Sequence, residues 1–232
     1  VDVTHYVRLE AGQPMHAYDS DTLAGNTVIA RASVPGEQLV TLDDIERTLS
    51  PGMTVIADSE KAIGLGGVMG GLQTEISRKT KYVFLEAACF DPVATRKTSR
   101  ALGLASEASS RFVHGIDKEN IMTALERAAQ LLEELGAAKT VPGRQDIYPK
   151  KYKEKKIKTT VEAINTRLGT NTEGQKMFKI LESLEFKVYN PYKGDFTVTV
   201  PTWRNDVTCA ADISEEIARI DGYDNIAGTL PT

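Results

Sequence analysis

The chain has 232 residues, 41% hydrophobic and 26% charged, a balance that fits one large or two smaller folded domains and excludes disorder. Its 28 Lys and Arg against 32 Asp and Glu give a net charge of −4, which excludes a basic shell built to wrap nucleic acid. Two distant cysteines (Cys89, Cys209) and three scattered histidines (His5, His16, His114) form neither a disulfide framework nor a metal-ligand spacing, so no metal site and a reducing, cytoplasmic setting are expected.

No run approaches the roughly 18 apolar residues of a membrane span. Val1–His5 has no basic-then-apolar signal pattern, and without an initiator Met the sequence reads as excised from a longer one.

Short β-like runs dominate residues 1–90: 27–32, 38–42, 54–57 and 82–85, each bounded by Gly, Pro, Asp or Ser. Their rhythm predicts a barrel or sandwich. Residues 11–19, AGQPMHAYD, read as a loop after a strand. Residues 64–71, GLGGVMGG, hold five glycines without the Gly-Lys-Ser/Thr of a phosphate loop; they read either as a tight turn or as a close approach to a ligand.

Helices follow. Asp91 can cap one with Pro92 at its first position and Gly103 as its stop. Ser106 can cap a second, ended by Gly115. Asp117 opens a third, with a stripe of Ile121, Leu125, Ala128, Leu132 and Leu135 closed by Gly136.

A boundary is expected near residues 143–156, giving domains 1–150 and 151–232. The Lys-rich stretch there (Lys150, Lys151, Lys153, Lys155, Lys156, Lys158) reads as a solvated linker or a polyanion contact. Beyond it the order is helix from Thr160, helix capped by Thr172, a hairpin of 186–189 and 196–200 around a turn at 190–194, and a helix over 212–220. The expected fold class is α+β: a barrel- or sandwich-like domain with helices, then a small three-helix, winged-helix-like domain with a β-hairpin.

Glu86 ends the apolar run 82–85 and precedes Ala87-Ala88-Cys89-Phe90. A carboxylate so flanked must be hydrogen-bonded or bear a desolvation penalty. It is either a salt-bridge or cap partner, or an acceptor facing a ligand in an apolar pocket.

Four motifs occur in order in the first part: Gly12-Gln13-Pro14-Met15-His16-Ala17-Tyr18-Asp19, Gly67-Val68-Met69-Gly70-Gly71, Leu85-Glu86-Ala87-Ala88-Cys89-Phe90, and 98–109, TSRALGLASEAS. In the second part stand 200–206, VPTWRND, and 215–226, EEIARIDGYDNI. Together they resemble the β subunit of bacterial phenylalanine–tRNA ligases across nearly the whole chain. The first domain is similar to the editing region called B-three/B-four, and the second to the B-five domain.

The resemblance implies hydrolysis of tyrosine wrongly attached to tRNA(Phe). A pocket shaped for an apolar ring rejects an added hydroxyl by only about 100-fold, whereas a site that hydrogen-bonds the hydroxyl disfavours the ring lacking it by roughly 10⁴-fold. It implies Glu86 as acceptor for the tyrosine hydroxyl, helped by the Gly70 N–H. Ala108 is small to admit the ring, and Pro14 and His16 lie on the ester and adenosine side. Thr4 and Ser106 add hydrogen bonds. His16 is the catalytic candidate, orienting the attacking water or contacting the ribose; His5, where the family commonly has Asn, and His114 are expected to be structural.

It further implies an α subunit partner in a heterotetramer, tRNA(Phe) and tyrosine as ligands, and no membrane. ATP and magnesium serve the full ligase, and no cofactor is expected in this stretch. Trp203-Arg204-Asn205-Asp206 reads either as a nucleic-acid contact or, the favoured expectation, as Trp203 plugging the second core while Arg204 pairs with Asp206 or the Glu215–Glu216 helix. The rival reading is a non-catalytic module for nucleic-acid binding or subunit assembly.

Overall fold

Val3, Val7 and Ala11 recur at one helical turn per step, and residues Asp2–Ala11 form α1 where the sequence suggested a strand. The stripe packs against Ala124 and Ala128, a partner more than a hundred residues away that local pattern could not supply. The computed structural model describes residues 2–189, 194–226 and 228, and the chain divides into two units, 1–146 and 147–232.

In unit 1, Gly12 takes φ +74° and its N–H donates to the Arg8 carbonyl, ending α1 and turning the chain into β1 (Met15–Asp19). The strands β2 (Ile29–Ala32), β3 (Gln38–Val40), β4 (Glu46–Thr48), β5 (Thr54–Ala57), β6 (Ala62–Leu65), β7 (Met69–Gly70) and β8 (Val83–Ala87) follow. They form three antiparallel sheets, β1-β8, β3-β4 and β2-β5-β6-β7, with no closed barrel among the described residues.

The glycine run is the β6–β7 hairpin. Gly66 and Gly67 lie under the Phe90 ring; a Cβ at Gly66 would collide with it, and at Gly67, where φ is +73°, a Cβ would press on it. The helices start and stop where capping chemistry directs. α2 (Pro92–Leu102) is capped by Asp91, which accepts from the Ala94 N–H at 2.8 Å, and stopped by left-handed Gly103. α3 (Glu107–His114) has Ser106 at its N-cap, and α4 (Ile121–Glu134) is entered through a 3₁₀ turn capped by Asp117.

Strand alternation divides β1-β8 into two faces. Met15 and Leu85 face the layer of α1 and α4, while Tyr18 packs with Leu23, Ile56 and Ile63 from the β5–β6 side. His16, Tyr18, Phe84 and Glu86 therefore share the face turned toward the four-stranded sheet.

Unit 2 corrects the reading of the lysine run only at its end, at Lys156 and Lys158; Lys150, Lys151, Lys153 and Lys155 stand in irregular chain. Lys156–Thr160 is β9, with Ile157 in the core between outward-pointing lysines. α5 (Val161–Leu168) is capped by Thr160 and stopped by Gly169. α6 (Gly174–Ser183) starts after Glu173 and not at Thr172, whose backbone N–H and C=O are held by the Asn165 side chain. β10 (Lys187–Tyr189), β11 (Asp195–Thr199) and β9 make a sheet ordered β10-β11-β9, and α7 (Ala210–Asp221) closes the unit. The expected turn at Asn190–Lys193 lies outside the described residues.

Trp203 does not plug this core. It is 49% exposed, and Phe186, Phe196, Ile213 and Ile217 fill the interior in its place. Arg204 does pair with Asp206 and Glu216, with its guanidinium 5.5 Å from the centre of the Phe186 ring.

Candidate functional site

Antiparallel register sets His16 directly opposite Glu86, and neighbours across a pair project to the same face. His16 therefore stands on a strand, although the motif reads as a loop. Buried Gln13 ties the approach to β1 onto the end of β8, its side-chain amide donating to the carbonyls of Pro14 (2.8 Å) and Ala88 (2.9 Å). Pro14 is buried beside it.

Among the described residues Glu86 makes neither a salt bridge nor a helix cap. Its Oε2 accepts the Tyr18 hydroxyl at 2.5 Å, diagonally across the two strands. Burial raises the Glu86 carboxyl above its ordinary range, and the Tyr18 hydrogen bond opposes that rise. The Tyr18 phenol is pushed up by its own burial and then by the carboxyl beside it.

His16 is partly buried, and burial lowers its imidazole to about 4, so it is neutral near pH 7. Its ring meets Tyr18 edge-on, centroids 4.5 Å apart. Nε2 is enclosed and has no hydrogen-bond partner among the described residues, an orphan that costs on the order of 1–3 kcal/mol. The ring lies over the Cα of Gly70, where a Cβ would collide with it. The Gly70 carbonyl accepts from the Leu42 N–H, away from β6.

Ser106 binds the start of α3 to the glycine hairpin. Its hydroxyl donates to the Val68 carbonyl at 2.6 Å while its oxygen accepts from the Ser109 N–H at 3.0 Å. Ala108, two residues on, is partly buried next to that junction. Thr4 is buried one turn before Val7 on α1, in the layer behind the Met15–Leu85 face.

His16 and Glu86 thus share one face, with Gly70 against the His16 ring, and Ser106 ties α3 to the hairpin that carries Gly70. Ser106 is already engaged in capping and tethering. His5 and His114 are exposed on α1 and α3. Tyr18 is the site residue that sequence reasoning missed, although it stands two residues past His16 in strand period.

Among the described residues no three His, Cys, Asp or Glu side chains gather as metal ligands. Among the same residues no helix is long and apolar enough to cross a membrane.

Residues 1–137 match the family model for the B3/4 domain, and residues 157–223 match that for the tRNA synthetase B5 domain. The phenylalanine–tRNA ligase beta subunit of Moorella thermoacetica is 45% identical over 231 residues, covering 100% of this chain and 28% of that protein. The same subunit of Carboxydothermus hydrogenoformans is 48% identical over 232 residues, covering 100% and 29%. The chain therefore spans less than a third of the length of these curated relatives. Among solved structures, an N-terminal fragment of the phenylalanyl-tRNA synthetase beta subunit from Pyrococcus horikoshii aligns with a TM-score of 0.46 at 17% identity, over 95% of this chain and 64% of that one. With its B3/4 match spanning more than half its length and a B5 match following, the chain belongs to the B3/4 domain family and is similar throughout to phenylalanine–tRNA ligase beta subunits.

Proposed function

We propose that unit 1 is an editing hydrolase that removes tyrosine from tRNA(Phe), as part of a ligase that joins phenylalanine to that tRNA. The observation that carries this reading is the state of Glu86. Its carboxyl is desolvated, and Oε2 already accepts a phenol hydroxyl. Oε1 accepts nothing among the described contacts and is not among the enclosed unpaired atoms. A tyrosine hydroxyl has an acceptor there, whereas a phenylalanine ring leaves the carboxyl unpaired.

The neutral His16, opposite on the same face, suits the ester end. Water attacks the ester carbonyl carbon, the bond from that carbon to the ribose oxygen breaks, and a proton passes to the ribose. A group with a pKa of about 4 is a weak base toward water. In this reading His16 orients the water or the ribose, and no full proton transfer to it is needed. The Gly70 N–H assists Glu86 at the hydroxyl, Ala108 is small enough to admit the ring, and Pro14 shapes the approach. Thr4 and Ser106 act as supports.

An α subunit, ATP and magnesium belong to the activating chemistry of the whole ligase. The donor sets among the described residues do not fit a metal, and no step here runs through one. The test is release of tyrosine from tyrosylated tRNA(Phe) by the intact ligase carrying this chain, against Glu86→Ala and His16→Ala. Release that falls at least tenfold in both variants is expected. Undiminished release in both, or none from the unaltered enzyme, leaves a binding or assembly module as the better reading.

A further inference from the structure

The carboxyl acceptor of the site is itself held by a residue that the site motifs leave without a role. We propose that Tyr18 is a specificity-determining residue: its phenol fixes one oxygen of Glu86 and so presents the other as the single acceptor for the hydroxyl of a phenolic amino acid. The proposal rests on the reading of unit 1 as a site for tyrosine.

The donor is rigid. Tyr18 is 2% exposed, and its ring is clamped by Leu23, Ile56 and Ile63, with His16 edge-on at 4.5 Å. A hydroxyl buried this deeply requires a partner, and Glu86 Oε2 at 2.5 Å is the partner it has. The acceptor without that clamp is loose. A Glu side chain turns about three torsions, and an untethered carboxyl would present either oxygen in many orientations, losing rotamer freedom each time a ligand arrived. Tyr18 removes that freedom beforehand, so discrimination does not begin with ordering the acceptor.

The bond also pulls against the burial that raises the acceptor's carboxyl. An O–H donated to a carboxyl favours its ionised form, and an ionised carboxyl only accepts. A protonated one would be a donor as well and could satisfy itself on water or on His16 across the register, weakening the preference for a ligand hydroxyl. The groups facing Glu86 on this face are His16 and Tyr18 of β1, and Gly70 of β7 carries no charge.

Tyr18→Phe tests this, because it keeps the packed ring and removes only the donor. Binding of free L-tyrosine and L-phenylalanine to the 232-residue chain is measured by titration calorimetry in the unaltered protein, Tyr18→Phe, Glu86→Gln and the double variant. The ratio of dissociation constants favouring tyrosine is expected to fall on the order of tenfold in Tyr18→Phe, the worth of one charge-assisted hydrogen bond. Tyr18→Phe should lower it no further on the Glu86→Gln background, where the carboxylate to be oriented is gone. A packing role would weaken both amino acids together and leave the ratio unmoved. A ratio within twofold of the unaltered protein in Tyr18→Phe, or equal effects with and without Glu86, overturns the proposal alone. An unaltered chain that binds neither amino acid overturns the functional reading and this proposal with it.

Discussion

His16 Nε2 and the Cα of Gly70 are in such close contact that a methyl group at Gly70 would stand 2.5 Å from that nitrogen. No relaxation of the imidazole in place can accommodate it. Gly70→Ala is expected to displace the ring, destabilise unit 1 by about 1–3 kcal/mol through overpacking, and lower tyrosyl-ester hydrolysis at least tenfold. Adding His16→Ala should restore the melting temperature without restoring hydrolysis. Additive melting shifts in the double variant would mean that the two positions do not compete for the same space.

Glu86 gives stability a pH dependence of definite sign. Its carboxyl is raised in the folded protein, first by burial. A folded state that binds the proton more tightly than the unfolded chain is favoured at low pH and loses that advantage as pH rises through the folded value. Glu86→Gln, which cannot ionise but can still accept from Tyr18, should gain on the unaltered protein from pH 4 upward and level off above the folded value. Urea titrations at pH 4, 5.5, 7 and 8.5 decide it. A gap that narrows with rising pH would contradict a raised carboxyl.

The neighbouring imidazole predicts the reverse slope. His16 falls to about 4 on folding because burial disfavours its charged form. Between an ordinary value of about 6.5 and that point, the unfolded chain takes up a proton that the folded one refuses. Stability is therefore complete above about pH 6.5 and drops by up to about 3 kcal/mol as pH falls toward 4. His16→Asn should flatten this part of the profile, measured by the same titrations. An unchanged slope between pH 6.5 and 4 would assign the acid loss to other groups.

Ala108 tests the room for the ring. It is partly buried at the second position of α3, two residues after the Ser106–Val68 tether, and it belongs to no core cluster. Ala108→Trp is expected to abolish tyrosine binding while shifting the melting temperature by no more than about 4 °C, the effect of roughly 1 kcal/mol in a domain of this size. A much larger drop in melting temperature would make Ala108 a packing residue.

What could be read in advance follows the range of the interactions. The α2 and α3 boundaries were legible because Asp91, Gly103 and Ser106 act on amides within a few residues. α1 was not, since its Val3–Val7–Ala11 stripe is short and its partners lie on α4. Six lysines hid β9, where Ile157 faces the core and the strand partner is some forty residues on. At the site, the motif resemblance brought out His16, Glu86 and Gly70. Tyr18 escaped because its meaning is a contact with a residue 68 positions away. Apolar character alone also misjudged Trp203, because the unit 2 core is filled without it.

The Arg204 network supplies the last prediction. Its guanidinium donates to both oxygens of Glu216, at 3.0 and 2.8 Å, and to Asp206, while Arg219 adds a bond to Glu216 at 2.8 Å. The Glu216 side chain is 9% exposed and that of Arg204 19%, so the pair falls between a surface bridge and a fully buried one. The guanidinium holds the Glu216 carboxyl below the usual range, against a smaller contribution from burial. That stabilisation is present above the ordinary carboxylate range and is lost as pH falls through the lower folded value. Glu216→Gln should cost unit 2 about 1–3 kcal/mol at pH 7 and progressively less as the medium is acidified below about pH 4. Arg204→Lys should not rescue the fork, because an ammonium cannot span both carboxylate oxygens while lying over the Phe186 ring. Amide exchange along α7 reports the loss locally. Protection unchanged in both variants would reduce the network to surface decoration.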